Sequence, residues 1–214
     1  MLTGTPSFFI RTSGCNLRCW FCDTPYASWN PEGERRSVES LVQEAAEVGL
    51  EHVVFTGGEP LLHPESVDLS VALRASGHHV TIETAGTIDR EVECDLLSIS
   101  PKFRSSAPDA IKHARWSERH EQRRMPIEVM RRLIERSEDF QLKFVVDCEE
   151  DQNELLEVVE SLQAAAEKVW VMPQGMAVHE IDESAAWLRP WTQSRGFHYC
   201  DRMHIRWYGN RRGT

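Results

Sequence analysis

No uninterrupted apolar run in this 214-residue chain approaches the ~18 residues that a membrane-spanning helix needs. No signal-peptide pattern stands ahead of Cys15, so the expectation is a cytoplasmic chain. An excess of basic charge is also missing. There are 24 Lys and Arg against 34 Asp and Glu, a formal net charge of −10. A protein that lives on phosphate contacts shows a basic surface, so nucleic acid is not an expected partner. Arg206, Arg211 and Arg212 near the C-terminus read as solvated or as contacts to a small anion. Repeats and low-complexity tracts are absent. What remains is ordinary: 41% hydrophobic and 27% charged residues, the balance of a soluble globular protein. The length suits one domain over residues 1–214 with a real core.

Cysteine is sparse, six in all, yet three of them crowd together as Cys15-Asn-Leu-Arg-Cys19-Trp-Phe-Cys22. Without a secretory signal, such spacing points to a reducing compartment and metal binding rather than disulfides. Three thiolates on one loop can hold three irons of a 4Fe–4S cubane and leave the fourth iron open. An electron-transfer cluster normally has four cysteines; an open iron can bind and reduce a ligand. A zinc knuckle or a reduced cysteine cluster is the competing reading. Zinc wants a fourth Cys or His at short spacing, and the nearest histidine is His52. Cys94, Cys148 and Cys200 are scattered and read as buried reduced thiols.

Short β-branched runs alternate with helical patterns. Strands are expected at Ser7–Arg11, His52–Thr56, Val80–Glu83, Leu96–Ser100, Gln141–Val146 and Val169–Met172. Helices are expected at Val38–Val48, Glu65–Ala75, Ile127–Arg136, Asn153–Ala166 and Glu180–Ser194. Ser37 before Ser40 and Asp151 before Glu154 make helix starts; Gly49 and Gly77 make stops. Alternating β and α implies parallel pairing through helical crossovers. Six strands are too few for a closed eight-fold barrel, so the expected fold is α/β, a partial, splayed (β/α)6 barrel. Residues Phe103–Met125, rich in Arg, His and Ser, read as an insertion or mobile loop.

Every polar cluster follows or caps an expected strand, as the active mouth of such a barrel requires. The cysteine loop follows the first strand, and Gly57-Gly58-Glu59-Pro60 the second. Glu83-Thr84-Ala85-Gly86-Thr87 ends the third, Ser100-Pro101-Lys102 the fourth, and Pro173-Gln174-Gly175 the sixth; the fifth carries Gln141-Leu-Lys143. Two adjacent glycines let backbone approach a ligand closely, with Glu59 and Pro60 fixing the loop. Taken singly, each cluster could be a turn.

The cysteine spacing and the glycine turn resemble the radical S-adenosylmethionine (SAM) enzymes. Their open iron chelates the amino and carboxylate groups of SAM, and one electron cleaves SAM to methionine and a 5′-deoxyadenosyl radical. Arg11-Thr-Ser-Gly-Cys15 through Cys22-Asp-Thr24-Pro-Tyr-Ala27 is closer still to the cluster loop of the 7-carboxy-7-deazaguanine synthases. So are Thr56-Gly-Gly-Glu-Pro60, Ile82-Glu-Thr84-Ala-Gly-Thr87, Ser98-Ile-Ser-Pro-Lys102 and Gln141-Leu-Lys-Phe-Val145. The Cys-Asp-Thr and Ser-Pro-Lys steps discriminate this family from other radical SAM enzymes. The resemblance implies a ring contraction of 6-carboxy-5,6,7,8-tetrahydropterin to 7-carboxy-7-deazaguanine with loss of ammonia, a step toward queuosine. It also implies Mg²⁺, a homodimer, and a flavodoxin or ferredoxin as electron donor.

Residue roles implied by the resemblance are these. Cys15, Cys19 and Cys22 bind the cluster as thiolates, which soft iron selects. Thr24 supplies an oxygen to Mg²⁺, or else caps its loop. Phe21, Cys22 and Asp23 lie along the adenine. Gly58, Ser100, Pro101, Lys102 and Gln174 bind SAM. Arg11, with its planar fork, Thr56 and His204 contact the pterin. Glu83 and Thr84 line the pocket, or Glu83 pairs with a buried base, and Lys143 is structural. Trp20 and Phe21 shield the cluster from water.

The resemblance departs at one place. The family opens with a strand and a Gln-Gly-Glu-Gly segment that hydrogen-bonds the pterin, and nothing ahead of Ser7 corresponds to it. A start placed late, a shortened chain or a different mode of substrate recognition each account for this. A missing strand would leave a sheet edge unpaired, and a pterin with unpaired buried edges loses affinity. Two other readings compete: a different small radical SAM enzyme, such as a glycyl-radical-activating enzyme, and a non-catalytic metal-binding module.

Overall fold

The computed structural model describes residues 2–212; Met1, Gly213 and Thr214, at the ends of the expected domain, lie outside that range. Among these described residues seven strands form one parallel sheet in sequence order: β1 (Ser7–Thr12), β2 (His52–Gly57), β3 (His79–Thr84), β4 (Leu96–Ile99), β5 (Phe140–Val146), β6 (Val169–Pro173) and β7 (His198–Tyr199). The six expected strands are present within a residue or so at each end. The two-residue β7, paired to β6 through Trp170 and Val171, is an addition. The order runs from β1 at one edge to β7 at the other without closing. Among the described residues seven α-helices accompany it: α1 (Val38–Val48), α2 (Ser66–Ala75), α3 (Ala114–Arg123), α4 (Ile127–Arg136), α5 (Asp151–Ser161), α6 (Val178–Ser194) and α7 (Met203–Tyr208).

Strand alternation gives the sheet two unlike faces. One face carries Ile10, Val53, Phe55, Val80, Ile82, Leu97, Ile99, Leu142, Phe144, Val146, Val169 and Val171, all buried in a single cluster. Ala45 of α1, Leu69 and Leu73 of α2, Met130 and Leu133 of α4, Leu155 and Val158 of α5 and Leu188 of α6 pack against it. This is the outer layer of the half-barrel, and burying it supplies the main driving force for folding.

The other face is polar and in register. Arg11 pairs with Thr56, Glu83 with Ser98, and Ser98 with Gln141, while Lys143 stands two residues further along β5. Thr56 Oγ1 donates to Glu83 Oε2 at 3.1 Å, which continues the row from β2 to β3. The concave side of the sheet is thus a strip of hydrogen-bonding groups leading to the C-terminal strand ends.

Local signals explain most boundaries. Ser37 Oγ accepts from Ser40 N at 3.1 Å and starts α1; Gly49, at φ +70°, stops it. Asp151 does not cap α5, because its carboxylate accepts from Asp147 N at 2.9 Å and secures the turn after β5 instead. That helix ends at Ser161, short of the expected Ala166.

Residues Phe103–Met125 are not a mobile loop. Phe103 is buried and stacks on Phe144 of β5 at 5.6 Å, and the segment contains α3. Arg124, also buried, donates to Glu121 at 2.7 and 2.9 Å, to Glu154 of α5, and to Lys102 O at 3.1 Å. Its anchors are polar and aromatic rather than aliphatic, so apolar periodicity does not reveal it.

Candidate active site

The cysteine loop follows β1 and is held from four sides. Gly58 N donates to Thr12 O at 3.0 Å, Glu59 N to Gly14 O at 2.8 Å, and Gly14 N to Ala27 O at 2.8 Å. These bonds stitch the glycine turn after β2 onto the segment preceding Cys15. A Cβ at Gly58 would stand 2.1 Å from Gly14 O and 2.4 Å from Ala27 O. The expected reason for this glycine, close approach of a ligand, is thus joined by another: the cluster loop's own backbone occupies the space.

Glu59 is fully buried. Its carboxylate accepts from Leu61 N at 3.0 Å, Thr84 Oγ1 at 2.7 Å and Ala85 N at 2.8 Å, locking the turn to β3 as the sequence suggests. Burial pushes its pKa up, and those three donors oppose the shift.

The third and fourth clamps were not legible in the sequence. Asn16 Nδ2 donates to Thr87 Oγ1 at 3.0 Å, tying the loop to the turn after β3. Arg18, buried between two cysteines, donates to Cys15 O and Leu17 O, both at 2.7 Å, and its guanidinium lies 3.9 Å from the Trp116 ring centre on α3. Arg18 N donates to His120 Nδ1 at 3.2 Å, so the other ring nitrogen carries the proton and donates to Ser106 Oγ at 2.9 Å. Burial, followed by the charge of Arg124, lowers the His120 pKa to about 4. Trp29 Nε1 donates to Cys19 O at 3.0 Å.

Cys15 feels the neighbouring Cys22, and Cys19 feels both Cys15 and Cys22. Burial raises Cys15 to about 11 and Cys19 to about 12; Lys102 opposes the rise at Cys19, and Leu17 N, 3.4 Å from Sγ, opposes it at Cys15. Buried thiols of this kind become thiolates through a metal. Among the described residues no three His, Cys, Asp or Glu side chains converge on a single-ion site. A cubane places each thiolate on a different iron, so the donor set and its spacing fit a 4Fe–4S cluster better than zinc.

The remaining expected residues gather around this loop. Ser100 N donates to Thr84 O at 2.7 Å, and Lys102 Nζ folds back to Ser100 O at 2.6 Å and Oγ at 2.7 Å. Burial lowers the Lys102 pKa, with the Cys19 side acting to restore it. Pro101 is buried between them. Gln174 N donates to Val146 O at 2.7 Å at the end of β6. Thr24 Oγ1 lies 3.7 Å from Cys22 Sγ, and Ser28 Oγ 3.1 Å from it. Phe21 is buried, but Trp20 is 51% exposed and donates to Ser105 O at 3.0 Å. The expectation that Trp20 shields the cluster is therefore corrected: it faces solvent, its indole N–H spent on a neighbouring loop.

On the concave face Lys143 Nζ meets Glu83 Oε1 at 2.5 Å. The ammonium lowers the Glu83 pKa; burial works against the charged Lys143, and Glu83 more than compensates, so its pKa is raised. Arg11, at the end of the row, is exposed, and its charge adds to the lowering of the Glu83 pKa. The C-terminal segment reaches the same mouth. Buried Arg202 donates to Asp23 Oδ2 at 2.8 Å, and His204 Nε2 lies 3.8 Å from that oxygen, its pKa lowered by burial and by Arg202. Arg202 had no signal in the sequence, since its partner lies 179 residues away.

The Radical SAM superfamily profile matches residues 9–162. A 7-carboxy-7-deazaguanine synthase of Rhodopirellula baltica is 58% identical over 213 residues, covering all of this chain and 83% of that protein. The chain belongs to the 7-carboxy-7-deazaguanine synthase family of radical SAM enzymes. A synthase of Halobacterium salinarum is 40% identical over 95% of the chain and 83% of its own length. Among solved structures, QueE from Escherichia coli superposes with a TM-score of 0.64 at 22% identity, covering 94% of this chain and 86% of that one. Streptococcus suis SuiB bound to S-adenosylmethionine reaches 0.61 at 12% identity, covering 96% and 56%. At such identities the two structures speak for the fold, an open parallel barrel. As a radical SAM enzyme of this synthase family, the chain works with a 4Fe–4S cluster and SAM.

Proposed function

We propose that this chain converts 6-carboxy-5,6,7,8-tetrahydropterin to 7-carboxy-7-deazaguanine with loss of ammonia. The observation that carries the reading is the polar row Arg11–Thr56–Glu83–Ser98–Gln141, which runs along the concave face beside the cysteine loop. When bound, the cluster and SAM supply a radical that takes a hydrogen atom from the substrate.

The chain's own groups do the rest. Cys15, Cys19 and Cys22 hold the cluster. Phe21, Cys22 and Asp23, with Gly58, Ser100, Pro101, Lys102 and Gln174, hold SAM; Lys102, already turned onto Ser100, offers its ammonium to the SAM carboxylate. Arg11 and Thr56 face the pterin from the concave strip, and His204 approaches it from the C-terminal segment. Glu83, kept ionised by Lys143, accepts a hydrogen bond from the Thr56 hydroxyl and so fixes which lone pairs Thr56 presents. Thr24, beside Cys22, is the proposed oxygen ligand for Mg²⁺.

Residues 1–214 are proposed to act as one domain in a homodimer, in the cytoplasm, where free thiols persist, with an external flavodoxin or ferredoxin as reductant. The test is anaerobic reconstitution followed by turnover of the carboxytetrahydropterin with SAM, Mg²⁺ and dithionite. Deazapurine in molar excess over enzyme is expected. SAM cleavage without deazapurine would remove this substrate while leaving a radical enzyme, and a glycine-containing peptide then becomes the next substrate to try.

A further inference from the structure

Electrons for the cluster come from outside this chain, because the remaining cysteines cannot build a second one: Cys94, Cys148 and Cys200 lie far apart in the chain, Cys94 just before β4, Cys148 after β5 and Cys200 after β7. The outer wall of the cluster loop shows where they enter. Between Lys102 and Arg124 the chain carries seven Lys and Arg against three Asp and Glu, a local balance of +4 in a protein of net charge −10. Lys102, Arg104 and Arg124 are turned inward or toward Glu121 and Glu154.

Among the described residues, Lys112, Arg115, Arg119 and Arg123 are in no ion pair. Arg119 rests 5.5 Å from the Trp116 ring centre, and Arg123 reaches Asn16 O at 3.4 Å. The nearby acids are only partly available. Asp109 is turned onto Ile111 N and Lys112 N at 2.8 and 3.0 Å, and Glu121 is taken by Arg124. Elsewhere most surface cations are matched, as in Arg36–Glu44, Arg74–Asp95 and Arg132–Asp89.

Two exposed apolar side chains border this cationic wall: Trp20, inside the cysteine motif, and Ile111, 95% exposed. The wall is joined directly to the loop through Arg18–Trp116, Arg18–His120 and the His113 ring, 4.9 Å from Trp29.

We propose that α3 with Trp20 and Ile111 is the docking surface for an acidic one-electron donor of the flavodoxin type. This deepens the proposed function and rests on it for the need of a reductant. The remaining surface, acidic overall, repels such a partner; this basic wall therefore orients it against the segment that contacts the cysteine loop, where His113 packs on Trp29 and Trp29 Nε1 donates to Cys19 O. One electron leaves the donor's fully reduced flavin, which becomes one-electron oxidised, and the same electron enters the oxidised cluster; no atom is transferred. Steering by charge acts mainly on the association rate and weakens with salt, as suits the small interfaces of transient redox pairs.

The test uses the reconstituted holoenzyme and an acidic flavodoxin reduced to its hydroquinone. Three quantities are read: binding of oxidised flavodoxin by titration, the second-order rate of flavin oxidation, and dithionite-driven turnover. In the Lys112→Glu/Arg115→Glu variant, binding and flavin oxidation are expected to fall at least tenfold at low salt, with a flattened salt dependence and an unchanged dithionite rate. Lys112→Gln/Arg115→Gln is expected to give a smaller loss of the same kind. The control Arg36→Glu/Arg195→Glu makes the same change in net charge away from the wall and is expected to fall less than twofold. Unchanged flavin oxidation in the wall variants, or an equal fall in the control, overturns the proposal. So does a change in sedimentation mass with unchanged flavin kinetics, which would place a second copy of the chain on this face. Failure of pterin turnover with dithionite, while flavin oxidation stays patch-dependent, removes the substrate and leaves the docking surface standing.

Discussion

The same strands serve two opposite purposes on their two faces. Outward, Phe55, Ile82, Leu142 and Phe144 are buried in apolar contacts that do not depend on pH or ligand. Inward, one residue along, Thr56, Glu83, Gln141 and Lys143 satisfy one another and Ser98 through hydrogen bonds and an ion pair. A one-residue slip of any strand would exchange the two sets, so the apolar face fixes the register on which the polar row depends. Stability is concentrated on one side and chemistry on the other.

The comparison is broken most severely from the outer side. Phe144→Ala removes a fully buried ring and its stacking partner for Phe103, and is expected to cost about 3–5 kcal/mol, read as a lowered urea midpoint. Iron bound per folded molecule should stay constant. Loss of iron without loss of stability would show that the outer layer does more than support.

Acid reaches a different point, the wall behind the cysteine loop. The His120 pKa is depressed from 6.5 to about 4, so the unfolded chain binds a proton in that interval that the folded chain refuses. Stability from this group is therefore complete above pH 6.5 and is lost as pH falls toward 4, by up to about 3 kcal/mol. Protonation also removes the Nδ1 acceptor for Arg18 N. Unfolding curves between pH 4 and 7 should show this slope, and His120→Asn should flatten it.

The smallest expected effect on stability falls on the inner face. Lys143→Met leaves Glu83 without its cation and is expected to cost about 1–2 kcal/mol, discounted because the Glu83 side chain is 34% exposed. Adding Glu83→Gln should restore most of the melting temperature and none of the turnover. If the double variant regains turnover, the row is scaffold rather than machinery.

Much of this was readable beforehand, for a physical reason. The strands β1 to β6 advertise themselves by β-branched runs, and each polar motif sits at the end of one. Glu59, Gly58 and the cysteines belong to short local patterns. What escaped reading is held by distant or polar contacts. α3 buries His120 and places Trp116 against a cation instead of presenting an aliphatic stripe. β7 has two residues, too few to alternate. Arg18 and Arg202 look like surface arginines until the fold supplies Trp116 and Asp23. Trp20 fits an apolar motif, and only the path of the Ser105 loop turns it outward.

The Arg202–Asp23 and Arg18–His120 bonds also set a schedule for synthesis. They join residues 179 and 102 positions apart. The cysteines emerge from the ribosome in the first tenth of the chain, whereas the helix that backs them appears past the midpoint and the arginine that fastens the residue after Cys22 comes almost last. A nascent chain therefore displays three bare thiols for most of its translation. Iron delivered during that interval meets a loop with none of its distant fasteners, so durable assembly of the centre belongs to the completed polypeptide.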